Sequence, residues 1–133
     1  MIKEIAIRSG TRTEFIDITD HVQKAIEETR IKNGICYLYV PHTTAGITIN
    51  EGADPSVSRD IDEHLVKLIP FNSNYHHAEG NSAAHIKASL TGSSELVFIE
   101  GGKLRLGTWQ AIYFCEFDGP RNRKVSLKVI REE

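Results

Sequence analysis

Ile35-Cys36-Tyr37-Leu38-Tyr39-Val40-Pro41-His42-Thr43-Thr44-Ala45-Gly46-Ile47-Thr48-Ile49-Asn50-Glu51 is the stretch whose reading decides the fold. Its halves, about 35–41 and 46–51, read as two strands, rich in β-branched and aromatic residues. A short turn around Thr43 to Ala45 joins them. Counting back by twos from His42 places Val40, Leu38 and Cys36 on one strand face.

Outward toward the N-terminus, residues 2–9 and 13–18 read as strands, with Ser9-Gly10-Thr11 as a hairpin turn between them. Thr19 or Asp20 caps a helix over about 21–32. Val22, Ala25, Ile26 and Ile31 form its apolar stripe, and Asn33-Gly34 stops it. In the other direction, Asp54-Pro55 is a helix start: Asp caps, and Pro suits the first helical position because its missing N–H had no partner there. Val57, Ile61, Leu65, Leu68 and Ile69 recur at near-helical spacing until Pro70. Asn81 caps a shorter helix over 82–91, closed by Gly92. Ala83, Ile86 and Leu90 form its apolar face, and Asn81, His85 and Ser89 share another. Strands follow at about 95–100, 108–117 and 124–131, the last two linked by Asp118-Gly119-Pro120-Arg121. The expectation is α+β: a single domain over 1–133, with a mostly antiparallel β-sandwich-like core and about three helices.

Composition narrows the function. The chain has 133 residues, with 16 basic against 18 acidic, so no broad field for nucleic acid is present. Its longest apolar run is Ile35 to Val40, far short of the ~20 residues of a membrane-spanning helix. The N-terminus lacks the apolar segment of a signal peptide, so a cytoplasmic location is expected. Cys36 and Cys115 lie in apolar, strand-like stretches and read as buried free thiols.

The chemistry points to histidine. Imidazole is a good ligand for zinc and its neighbours, and three such ligands leave one position open for water or substrate. His42, His76, His77 and His85 are the candidates, while His21 and His64 read as surface residues. Among carboxylates, Glu51 ends a strand beside a glycine, Asp54 serves as a cap, and Asp60 lies on a charged helix face. Gly101 to Gln110 lacks both the P-loop and the dinucleotide pattern. It reads as a hairpin whose glycines permit positive φ. Trp109 reads as core packing or as a stacking wall for a flat ligand, with Gln110 as hydrogen-bond partner. Arg105, Arg121, Arg123 and Lys87 are candidate anion contacts.

Taken together, several segments resemble the YjbQ-like family, whose members are commonly described as secondary thiamine-phosphate synthases. The segments are Pro41 to Glu51, Ala53 to Val57 with Asp60, Asn74 to Asn81, His85 to Leu90, Ser94 to Ile112, and Asp118-Gly119-Pro120-Arg121-x-Arg123. The resemblance implies a homotrimer with a β-sandwich-like core. It also implies a metal site on His42, His77 and His85, with zinc as the first expectation and magnesium as the alternative. Glu51 or Asp60 would orient or catalyse. Thr44, Asn50, Asn81, Trp109, Gln110 and Arg121 would contact a small phosphorylated substrate. The reaction implied couples hydroxymethylpyrimidine pyrophosphate to thiazole phosphate with release of pyrophosphate. The alternatives are a non-catalytic module binding a metal or phosphorylated ligand, and a metal-assisted hydrolase.

Overall fold

The computed structural model describes all 133 residues. In chain order the elements are β1 (Lys3–Arg8), β2 (Glu14–Asp17), α1 (Thr19–Thr29), β3 (Gly34–Tyr39), β4 (Ala45–Glu51), α2 (Pro55–Leu68), α3 (Ser82–Thr91), β5 (Ser94–Glu100), β6 (Lys103–Leu104), β7 (Gln110–Glu116) and β8 (Asn122–Arg131). Five strands form one sheet, β1-β8-β3-β5-β6, and three form a second, β2-β7-β4. Every pairing is antiparallel. The chain is α+β, as expected.

Alternation along β3 produces the layering. Cys36 and Leu38 point into the core while Tyr37 and Tyr39 face outward. Between the sheets, these residues meet Val97, Ile99, Val125 and Leu127 of the larger sheet and Ile47, Ile112 and Phe114 of the smaller one. Val22 and Ile26 of α1 close the side. The smaller sheet is covered on its far face too, where Tyr113, Cys115 and Phe117 pack against Ala84 and Ala88 of α3 and Leu65 of α2. β7 is therefore buried from Ala111 to Glu116. Both cysteines are free and buried, and burial pushes the Cys36 thiol up to about 12 and raises that of Cys115 as well. Native protein should resist a thiol reagent that labels both cysteines in urea; rapid labelling of the folded state would contradict this packing.

Two expectations change. The pattern placed Ala83, Ile86 and Leu90 of α3 against the core, whereas Ala83, Ala84, Lys87 and Ala88 are buried and Ile86 and Leu90 are exposed. The cause is close approach to β4. A Cβ on Gly46 would overlap Thr91 Oγ1 and sit 2.8 Å from Gly92 O, so only the small-residue face of α3 fits. The turn at 9–11, the turn at 43–45 and the link at 118–121 join strands that belong to different sheets. Alternation marks a strand but does not say which sheet it enters. The true hairpin is β5–β6, turned by Gly101 and Gly102 at φ 59° and 79°.

Helix starts are mixed. Asp54 caps α2 by accepting from Ser56 N–H at 2.9 Å, with Pro55 following as read. α1 begins two residues early, with Asp17 Oδ1 accepting from Thr19 N–H at 2.9 Å, and ends at Thr29, where Arg30 at φ 60° and not Asn33-Gly34 stops it. Asn81 precedes α3, yet its side chain makes no capping bond.

Candidate functional site

Three of the crossings between sheets, β1–β2, β3–β4 and β7–β8, meet at one end of the sandwich around a buried ion pair. Glu116 at the end of β7 is fully buried, and Arg123 in β8 is nearly so. Glu116 Oε1 accepts from Ser9 Oγ at 2.6 Å and from Arg123 Nε at 2.9 Å. Its Oε2 accepts from Asp118 N–H at 3.0 Å and from Arg123 Nη2. Arg123 Nη2 also donates to Thr44 Oγ1 at 2.8 Å. Ser9, Thr44 and Asp118 come from three different crossings, so one pair ties all three together. Burial alone would raise the Glu116 carboxyl, but hydrogen bonds from Arg123, Ser9 and Asp118 outweigh it and hold the group below its ordinary value.

Beside this hub opens a cleft of about 480 Å³ with no hydrophobic side chain in its lining. His42 and Thr43 come from the β3–β4 crossing, His77, Asn81 and His85 from α3 and the segment before it, and Asp118 and Arg121 from the β7–β8 crossing. A groove of about 370 Å³ shares His42, Thr43 and His85 with it. His77 and His85 meet edge to face, with ring centroids 5.4 Å apart and planes at 87°. His77 Nε2 lies 3.9 Å from Glu79 Oε2. Asn81 Nδ2 donates to Asp118 Oδ2 at 2.9 Å, tying the segment before α3 to the β7–β8 crossing, while its buried Oδ1 has no partner in the chain. Arg121 grips Asp118 through Nε and Nη2, at 2.7 and 2.9 Å, leaving Nη1 without a partner in the chain.

His42 is held differently. Its Nε2 accepts from the Lys124 N–H at 3.0 Å, and its ring stands edge-on to Phe114 with centroids 6.5 Å apart. Burial, reinforced by the nearby Arg123 charge, holds His42 below the usual histidine range. No three His, Cys, Asp or Glu side chains converge to hold a metal ion. Two of the three expected ligands meet, while the lone pair on His42 Nε2 is already engaged. As placed, the three imidazoles do not fit a three-histidine centre, and no carboxylate group gathers for magnesium.

The remaining expected site residues lie elsewhere. Ala45 pairs with Glu116 at the cleft end of the smaller sheet, and Glu51 pairs with Gln110 at the other. Six steps of antiparallel strand separate these ends by about 20 Å. At the far end, Glu51 Oε2 accepts from Ala53 and Asp54 N–H at 2.9 and 3.3 Å, and Asn50 Oδ1 from Glu51 N–H at 2.7 Å. Gln110 Oε1 accepts from Gly107 N–H at 2.8 Å. Each of these side chains organises its own turn. Trp109 is 64% exposed, not core, and Asp60 is exposed on α2. Among the candidate anion contacts, only Arg121 has a free edge in the cleft. Arg123 is committed to Glu116, Arg105 pairs with Glu100 at 3.4 Å, and Lys87 is buried with Nζ 5.9 Å from the Phe117 ring centroid. Ser9 and Glu116 were missed. The signal for Glu116 was its charge inside the apolar run Ile112 to Phe117.

A two-sheet α+β domain with a polar, histidine-lined cleft at its crossing end is the class of protein that fold and site define. The family described as UPF0047 protein YjbQ-like matches residues 3–132. The chain belongs to this YjbQ-like family. A UPF0047 protein of Methanocaldococcus jannaschii is 53% identical over 133 residues, covering 100% of this chain and 96% of the relative. UPF0047 protein YugU of Bacillus subtilis is 49% identical over 131 residues, covering 98% and 99%. A crystal structure of an uncharacterised YjbQ/UPF0047-family protein from Clostridium acetobutylicum is 56% identical, with a TM-score of 0.94 over 96% of this chain and 99% of that one. A hypothetical protein from Aeropyrum pernix retains a TM-score of 0.94 at 34% identity, over 99% of each chain.

Proposed function

We propose that the protein is a small-molecule enzyme that binds a phosphorylated substrate in the crossing-end cleft and uses the His77–His85 pair on its phosphate groups. The observation that carries this reading is the contact between those imidazoles in a mostly polar cleft that also holds the free edge of Arg121. Such a set of donors suits an oxyanion. The reaction to test first is the one the family resemblance implies. The thiazole nitrogen bonds to the pyrimidine methylene carbon, the C–O bond to pyrophosphate breaks, and pyrophosphate leaves with the electron pair. On this chain, Arg121 would offset the charge on the leaving group, and His77 or His85 would donate a hydrogen bond or proton to it. Purified protein given both precursors should form thiamine phosphate well above a His85→Ala control. Equal yields from the two proteins would remove this assignment.

A second reading is a binding module without turnover. It is favoured by the carboxylates at the cleft, since Asp118 is spent on Arg121 and Asn81 and neighbouring Glu116 on Arg123, leaving exposed Glu79 as the one carboxylate not so engaged. Stoichiometric retention of unchanged pyrophosphate ester over hours would support it.

The homotrimer implied by the resemblance also belongs to this proposal. No helix is long and apolar enough to cross a membrane. Yet the outer face of the five-stranded sheet aligns Ile130, Ile35 and Phe98 across three strands, with Tyr37 and Leu96 in the next row. Phe98 is 60% exposed, and such a contiguous patch is what association covers. Phe98→Glu should reduce the solution mass measured by light scattering to that of one chain, with little change in circular dichroism. An unchanged oligomer would place the interface elsewhere.

A further inference from the structure

β8 pairs with β1 over residues 122–127 and with β3 over 126–131. β3 ends at Tyr39, so the backbone of Lys124 has no strand neighbour on that side. The His42 ring takes the vacant place, and its Nε2 accepts the Lys124 N–H at 3.0 Å. A ring nitrogen that accepts from an amide carries no hydrogen, so the hydrogen of a neutral imidazole resides on the other nitrogen. Nδ1–H of His42 has no partner in the chain. The buried side-chain atoms lacking a partner are Asp62 Oδ1 and Asn81 Oδ1, so Nδ1 is within reach of solvent. The ring lines both the cleft and the adjoining groove.

We propose that His42 is a fixed neutral hydrogen-bond donor whose Nδ1–H binds an oxyanion of the ligand, a phosphoryl oxygen above all, and that it is not a metal ligand. A ligand role needs a lone pair facing the cleft; one nitrogen's lone pair is engaged by Lys124 and the other nitrogen carries hydrogen. The tautomer is set by the backbone, which does not reorganise when ligand arrives, so the donor is preorganised. This inference rests on the reading of the cleft as an oxyanion site and adds which group approaches the phosphate from the sandwich end.

Two substitutions separate the functions of the two nitrogens. In His42→Asn the amide N–H₂ stands near the position of Nδ1, while in His42→Gln the amide oxygen can reach toward Lys124. With inorganic pyrophosphate as probe and calorimetry on the full chain, His42→Gln should bind about 10–100-fold more weakly than wild type, the size of a lost hydrogen bond to a charged group. His42→Asn should retain more of the affinity while melting lower than His42→Gln. Histidine ¹⁵N spectra of the wild-type protein should show His42 in the Nδ1–H form, with that resonance moving on pyrophosphate addition. Wild-type affinity in His42→Gln, or a spectrum showing hydrogen on Nε2, would overturn the donor role while leaving the oxyanion cleft intact. Failure of wild type itself to bind pyrophosphate would overturn both. Zinc alone should bind wild type and His42→Gln to the same extent; zinc bound by wild type and lost in the variant would make His42 a ligand and end the proposal.

Discussion

Arg123→Met should lower the melting temperature by about 10–18 °C. The substitution keeps much of the side chain's volume but strands the Glu116 carboxylate, fully buried, without its counter-ion. Breaking a buried pair from one side costs about 3–5 kcal/mol. A domain of this length loses about 3–4 °C per kcal/mol. The pair Arg123→Met with Glu116→Leu should recover much of the loss, because no unpaired charge remains. The sign with pH follows from Glu116. Its carboxyl is held below its ordinary value of 4.5 in the folded chain. The resulting stabilisation is complete above that value and is lost as pH falls through the lower native one. Wild type should therefore lose its advantage over the double variant on acidification. A single variant melting within about 2 °C of wild type would mean the hub does not hold the crossings.

The second large effect concerns His77 and His85. If the pair serves the leaving phosphate group, His77→Ala and His85→Ala should each lower turnover by about 10²–10⁴-fold, the range for a positioned acid or base. Because the rings touch, with centroids 5.4 Å apart, the two losses should not add. The double variant should sit near the worse single one, as groups that act as a unit do. Both residues are at the surface of the cleft, so their removal should leave the melting temperature nearly unchanged. Multiplicative losses would mean that the two imidazoles act at separate steps. A fall in stability matching the fall in rate would reassign them to structure.

How far the sequence could be read depended on the range of each signal. Strand and helix positions are local: alternation in 35–40 and the Asp54-Pro55 start were readable, and the elements lie within about three residues of their expected bounds. Partner choice is not local. Nothing in Ser9-Gly10-Thr11 says that β1 pairs with β8 while β2 pairs with β7. The burial of Lys87 instead of Ile86 was equally hidden, since it depends on how near α3 comes to Gly46. Within the site, the family pattern identified His42, His77, His85, Asn81 and Arg121, which the fold gathers at one cleft. The pattern could not separate them from Asn50, Glu51, Trp109 and Gln110, which share the motif but stand at the other end of the sheet.

β8 lies between β1 and β3 although it is the last strand along the chain, and Lys3 faces Leu127 across the first of these pairings. The larger sheet therefore cannot be nucleated from its N-terminal strands and extended in order. β1 has no hydrogen-bonding neighbour until residues 122–127 arrive, and one edge of β3 stays open until then too. Pairings this distant in sequence make folding slow for a domain of this size. They also leave two strand edges exposed on any chain still being made, an invitation to pair with another nascent copy. A chain cut before Asn122 should accumulate as aggregate, not as a smaller folded domain.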